Sequence, residues 1–182
     1  MKKDFLENNN PITATVAGKV AFCGMLVALA MIFSYVESLI PISFGVPGIK
    51  LGLANLVVLS GLYLLRPHEV LIVSIARILL AGFMFGNGMS ILYSLAGGLL
   101  SFLVMLLLKN SRKGGGYSKI GVSIAGGVSH NIGQILVAAA VLKSWKMAYY
   151  LPVLMLSGLV TGFLIGILTD RVLRIFKKNG SV

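Results

Sequence analysis

The apolar positions of this chain come in long blocks, separated by short polar punctuation. Six blocks follow one another: Val20 to Ile40, Gly48 to Leu65, Val70 to Phe85, Met89 to Leu108, Ile120 to Leu142 and Tyr150 to Ile175. Apolar runs of ~18 or more residues with few charges are the pattern of membrane spans. At 1.5 Å per residue, ~20 residues cross a ~30 Å hydrocarbon core, so each block is read as one crossing. Lipid cannot satisfy an open backbone, so the crossings must be helices. The expected fold is an all-α membrane protein, a bundle of six transmembrane helices. Residues 20–176 would form this domain, with 1–19 as a cytoplasmic segment and 177–182 as a cytoplasmic tail.

The punctuation is turn chemistry. Pro41 and Pro47 bracket "PISFGVPG", "GNG" at Gly86 to Gly88 reverses the chain, and "KNSRKGGGYSK" is basic and glycine-rich. Proline stiffens the first of these loops while Gly45 and Gly48 permit sharp turns, so it can act as a lid. Free N–H groups at the start of span two, with Lys50 beside them, favour an anion.

Composition agrees with the pattern. The chain is 57% hydrophobic and 12% charged, against about 25% charged in soluble domains. The opening "MKKDFLENNNPITAT" is polar for too long to be a secretory signal. The net charge of +11 would suggest nucleic acid in a soluble chain. In a membrane protein it sets orientation instead, so no nucleic-acid partner is expected. Lys2, Lys3, Lys19, Arg66, Lys109, Arg112, Lys113, Lys119, Arg171, Arg174, Lys177 and Lys178 fall on one side; Lys50, Lys143 and Lys146 fall on the other. Twelve against three places both termini in the cytoplasm of a cell-membrane protein. The single cysteine, Cys23, lies in an apolar block and reads as an inert thiol. No Cys/His spacing suits a metal, and no cofactor is implied.

Polar side chains inside the spans carry the functional signal. An ionisable group there is costly and faces a cavity or a partner. Arg77 sits in the middle of span three, too deep to snorkel easily. It needs a carboxylate, backbone carbonyls or an anionic ligand, and Glu37 at the end of span one is the available pair for an empty site. In "AGGVSHNIGQ", His130 and Gln134 are i, i+4 neighbours on one face of span five, and Asn131 and Gln134 are i, i+3 neighbours. The three offer donors and acceptors of both kinds, suited to a heteroaromatic ring or an amide, or to bonding adjacent helices. Lys50 at the mouth of span two, Asn55 two turns inward and Asn87 at the outer turn complete the set. Most of these groups fall in the outer half of the bundle, the pattern of a cavity open to the outside.

Small residues supply two further features. Ala17, Ala21, Gly24 and Ala28 make a small-x-x-x-small stripe on span one, fit for packing in the bundle or for docking a partner. "SLAGG" in span four echoes "SIAGG" in span five, read as close helix packing. Several enzyme classes lack their parts. No Gly-x-x-x-x-Gly-Lys-Ser/Thr loop is present, so this chain holds no nucleotide-driven motor. Magnesium-assisted prenyl transfer needs clustered aspartates, and the chain has Asp4 and Asp170 only.

The blocks "PGIKLGLANLV", "RILLAGFMFGN", "LYSLAGGLLSFLVM", "GVSHNIGQILVA" and "YYLPVLMLSGLVTGFLIG" resemble the Gx transporter family, often labelled heptaprenyl diphosphate synthase component I. The resemblance spans nearly the whole chain from span one to span six. That family is similar to the substrate-binding S components of energy-coupling factor transporters. The resemblance implies a six-helix protein that binds a small nutrient in an outward-facing cavity. It implies docking through Ala17, Ala21, Gly24 and Ala28 onto a transmembrane coupling protein driven by ATPase subunits, and a lid role for the loop between spans one and two. The alternative is a non-catalytic accessory protein in isoprenoid or quinone metabolism, or in flavin-linked extracytoplasmic electron transfer.

Overall fold

The computed structural model describes residues 15–39, 52–111 and 117–178. They form six α-helices: α1 (Val16–Leu39), α2 (Asn55–Leu64), α3 (Pro67–Phe85), α4 (Gly88–Asn110), α5 (Lys119–Val141) and α6 (Leu151–Lys178), with a 3₁₀ turn at Trp145–Tyr150. No strand occurs among the described residues. Five helices, α1 and α3 to α6, are long and apolar enough to cross a membrane. The chain is therefore an all-helical, multi-pass membrane protein.

Helix starts follow local chemistry. Pro67 opens α3 at a position where a missing N–H costs nothing. The Glu69 carboxylate accepts the Arg66 N–H at 2.9 Å. Asn87 caps α4 by accepting the Ser90 N–H at 2.8 Å, and Ser118 caps α5 by accepting the Gly121 N–H at 3.0 Å. These caps place the observed ends within a few residues of those expected from the apolar blocks.

The second expected span is corrected. The described helix covers Asn55–Leu64, 10 residues, and at 1.5 Å per residue that is ~15 Å, about half the hydrocarbon core. The chain enters it through Gly52, whose φ of +84° is the left-handed conformation that glycine adopts without strain. Gly52 to Ala54 are therefore not helical, and Gly48, where the span was expected to start, lies outside the described residues. A short helix is tolerated because α2 is wrapped by protein: Asn55, Val57, Val58, Leu59, Ser60, Gly61 and Leu62 are all buried. Irregular backbone beside it meets protein groups rather than lipid.

Helix α5 lies between α4 and α6, while α1 packs on α2 and α3. The α5–α6 contact is backbone on backbone. A Cβ on Gly127 would stand 2.5 Å from the Gly158 carbonyl oxygen, and one on Gly162 would stand 2.7 Å from the Ile124 Cα. Small residues permit this approach, and packing contacts hold the helices where no hydrophobic effect separates protein from lipid. On the other side of α5, a Cβ on Gly97 of α4 would meet the His130 carbonyl oxygen at 2.7 Å, and one on Gly126 would meet the Met105 Sδ at 2.5 Å. The "SLAGG" and "SIAGG" echo is thus a packing device in both helices.

Basic residues meet at one end. Lys19 pairs with Glu69 at 3.9 Å, joining α1 to α3. Lys119 pairs with Asp170 at 2.8 Å, joining α5 to α6, and Arg174 joins the same carboxylate at 2.7 Å. Lys109 donates to the Leu62 carbonyl, and both Lys109 and Lys119 lie over the Tyr63 ring. The N-terminal end of α1, the α2–α3 turn, the ends of α4 and α6 and the start of α5 therefore share one end of the bundle.

Candidate functional site

His130 is the twelfth residue of the 23 in α5, counted from Lys119, so it lies midway along the helix. It is 2% exposed and Gln134 is fully buried. The i, i+4 spacing does what was expected of it: the Gln134 amide Nε2 and the His130 Nε2 lie 2.6 Å apart in hydrogen-bond contact. An amide nitrogen can only donate, so the His130 Nε2 accepts, and the ring proton belongs on Nδ1 in the neutral form.

Gly52 ties this pair to α1 and α2. Its N–H donates to the Glu37 Oε1 at 2.6 Å, across 15 residues of sequence. Its missing side chain leaves room for the His130 ring, since a Cβ there would be 3.1 Å from the His130 Cδ2. The same Cβ would lie 3.2 Å from the Asn55 Nδ2. Asn55 in turn donates to the Ser101 hydroxyl of α4 at 3.4 Å. Glu37, Asn55, His130 and Gln134 thus form one buried polar cluster drawn from α1, α2 and α5, with Ser101 of α4 at its edge. Buried polar groups at this density survive only when hydrogen-bonded to one another or to a ligand.

Arg77 of α3 is 5% exposed. It lies against α4, where a Cβ on Gly98 would be 4.0 Å from its Nη2 and 3.9 Å from the Ser74 hydroxyl. The expected hydrogen-bonded pair is not made at two of the arginine nitrogens: Nε and Nη2 have no hydrogen-bond partner among the described residues. Glu37 holds the Gly52 amide instead.

Two expected members stand elsewhere. Asn131 faces α6 rather than the cluster, because a helix turns about 100° per residue. Its Nδ2 donates to the Leu154 carbonyl at 2.5 Å and packs against Gly158. His130, Asn131 and Gln134 are therefore divided, one residue bonding α6 and two facing the cluster. Asn87 is exposed and serves as the cap of α4. Lys50 and the loop expected to be a lid lie outside the described residues.

Gly52 and Ser101 were not singled out by the sequence. Gly52 could have been found in "KLGLAN" as a glycine interrupting an apolar run next to an asparagine. Ser101 carried no signal, since serine is common in membrane helices. Ala17, Ala21, Gly24 and Ala28 are all exposed on α1, and a Cβ on Gly24 would meet nothing within 4 Å. This stripe is not used to pack α1 within the bundle.

No curated protein and no solved structure matches the chain. A family model matches residues 26–172, from the middle of α1 to the last turns of α6. The chain belongs to the family described as heptaprenyl diphosphate synthase component I.

Proposed function

We propose that this chain is a substrate-binding membrane protein of the S-component type. It takes a small anionic or heteroaromatic ligand from outside and holds it among Glu37, Asn55, Arg77, His130 and Gln134. It releases the ligand inward when a transmembrane coupling protein and its ATPase subunits act on it. The observation that carries this reading is the convergence of buried polar side chains from α1, α2 and α5 through Gly52. Three helices bring charged, amide and imidazole groups to one buried zone, which is costly in a membrane-spanning bundle without a function. The basic end of the bundle faces the cytoplasm in this reading, by the excess of Lys and Arg there. The exposed stripe Ala17, Ala21, Gly24 and Ala28 is the docking face.

The chain is a binder and not a catalyst in this reading, because its two aspartates, Asp4 and Asp170, lie at opposite ends of the sequence. The family's description supports a second reading, in which the protein holds a prenyl diphosphate for a separate enzyme. Native mass spectrometry of protein purified from its own membranes separates the two. A water-soluble ligand lost in His130→Ala and Gln134→Ala supports uptake, and a prenyl lipid supports the second reading. Accumulation of the ligand in liposomes by the isolated chain, without ATPases, overturns the transport mechanism.

A further inference from the structure

The donors of Arg77 specify the group that its ligand must carry. A guanidinium presents its N–H groups along distinct edges. Nε–H and the nearer N–H of Nη2 point the same way and form the side-on fork. These are the two nitrogens that lack a hydrogen-bond partner among the described residues, in a side chain 5% exposed. The Glu37 Oε1 accepts the Gly52 N–H, and neither Nε nor Nη2 of Arg77 has a hydrogen-bond partner among the described residues. Gly98 of α4 lies alongside this edge: its Cβ position would be 4.0 Å from Nη2 and 2.9 Å from the Ile78 Cδ1. A buried fork with neither prong hydrogen-bonded among the described residues is suited to two oxygens on one atom.

We infer that the Nε/Nη2 edge of Arg77 binds a carboxylate or phosphate group of the ligand in a bidentate manner. This rests on the ligand-binding reading above and names the substrate class for that site. A lysine at position 77 keeps the charge and loses the fork, so charge alone does not satisfy the site. The oxyanion can belong to a water-soluble molecule or to a lipid headgroup, and the two sources share this recognition.

The test is a titration of the detergent-purified full chain with three probes: benzoate, inorganic diphosphate and farnesyl diphosphate. Protein labelled with ¹⁵N-arginine reports the Nε–H signal of Arg77, assigned by its loss in Arg77→Lys. At least one probe should shift that signal downfield, and Arg77→Lys should weaken the binding of that probe at least ten-fold. Tighter binding of farnesyl diphosphate than of diphosphate assigns the lipid source. Tighter binding of benzoate or diphosphate assigns the soluble source. The wild-type signal alone gives an answer if Arg77→Lys does not fold, with assignment then made by the remaining arginine variants. An unshifted Nε–H signal with all three probes overturns the inference, as does equal affinity in Arg77→Lys. A co-purified ligand with neither carboxylate nor phosphate also overturns it, while leaving the ligand-binding reading intact.

Discussion

Helices α1 and α5 are nearly equal in length, 24 and 23 residues, and opposite in placement. In the most apolar window of α1, 17% of residues are buried, against 56% in that of α5. Yet α5 is the more polar, with Ser123, Ser129, His130, Asn131 and Gln134 all buried along it. In water the order would be reversed. Apolar area no longer drives burial when the surroundings are lipid, so the interior collects the groups that lipid cannot solvate. The exterior keeps Val20, Met25, Ile32 and Val36 of α1, which lipid accepts freely. Polarity is therefore the better guide to the inside of this molecule, and glycine the better guide to its closest contacts.

Substitutions along the two helices should separate these roles. The largest loss of stability is expected at the α5–α6 seam. Gly127→Val places branched carbon against the Gly158 carbonyl, 2.5 Å from where its Cβ would sit. Backbone cannot yield as a side chain can, and overpacking of this kind costs about 3 kcal/mol. The thermal midpoint of the purified protein should fall accordingly, and a midpoint unchanged in Gly127→Val would mean that the seam is not closed.

The neighbours His130 and Asn131 sharpen the contrast within α5 itself. Asn131→Ala removes the bond to the Leu154 carbonyl, and interhelical bonds of this type in membranes contribute about 1 kcal/mol. Retention of bound ligand should be unaffected. His130→Ala removes the acceptor of the Gln134 amide, which costs about 1–2 kcal/mol. This variant should also lose ligand by at least ten-fold. Equal ligand loss in both variants, measured by equilibrium dialysis, would place the site on the α6 face of α5 instead. A smaller effect belongs to Asn87→Ala, which removes the α4 cap. About 1 kcal/mol of stability should go, again without change in ligand affinity, as the exposed side chain stands apart from the cluster.

What the sequence made legible follows the same physics. Five long spans were evident because each is a continuous apolar run closed by visible chemistry, such as Pro67, Asn87 or Ser118. The short α2 was not evident, since a helix wrapped by protein and one wrapped by lipid have the same apolar composition. Its entry depends on the Gly52 N–H bonding to Glu37, 15 residues earlier, and no local pattern announces such a partner. The pairing of His130 with Gln134 was legible from i, i+4 spacing because both ends lie on one helix. Asn131 takes the interhelical role that the sequence left open beside ligand contact, because spacing gives neighbours along a face but not which neighbouring helix the face meets. The place of Arg77 inside the third block was legible, whereas the lack of hydrogen-bond partners at its Nε and Nη2 among the described residues is a property of the packed bundle alone.

The smallest effect on the chain itself is expected on α1. A Cβ on Gly24 would meet nothing within 4 Å, so Gly24→Leu changes no internal contact. Exposed substitutions of this kind fall within about 0.5 kcal/mol of neutral, with a small gain possible because leucine favours helix over glycine. A lipid-facing site would carry no other consequence. A docking face would, because leucine holds a partner helix several ångströms further out than glycine does. Transport by the assembled complex should therefore be lost in Gly24→Leu, while the thermal midpoint and ligand affinity of the isolated chain stay as they were. Unimpaired uptake in cells carrying Gly24→Leu would show that α1 meets lipid along this stripe. The comparison of α1 with α5 would then reduce to lipid on one side and ligand on the other.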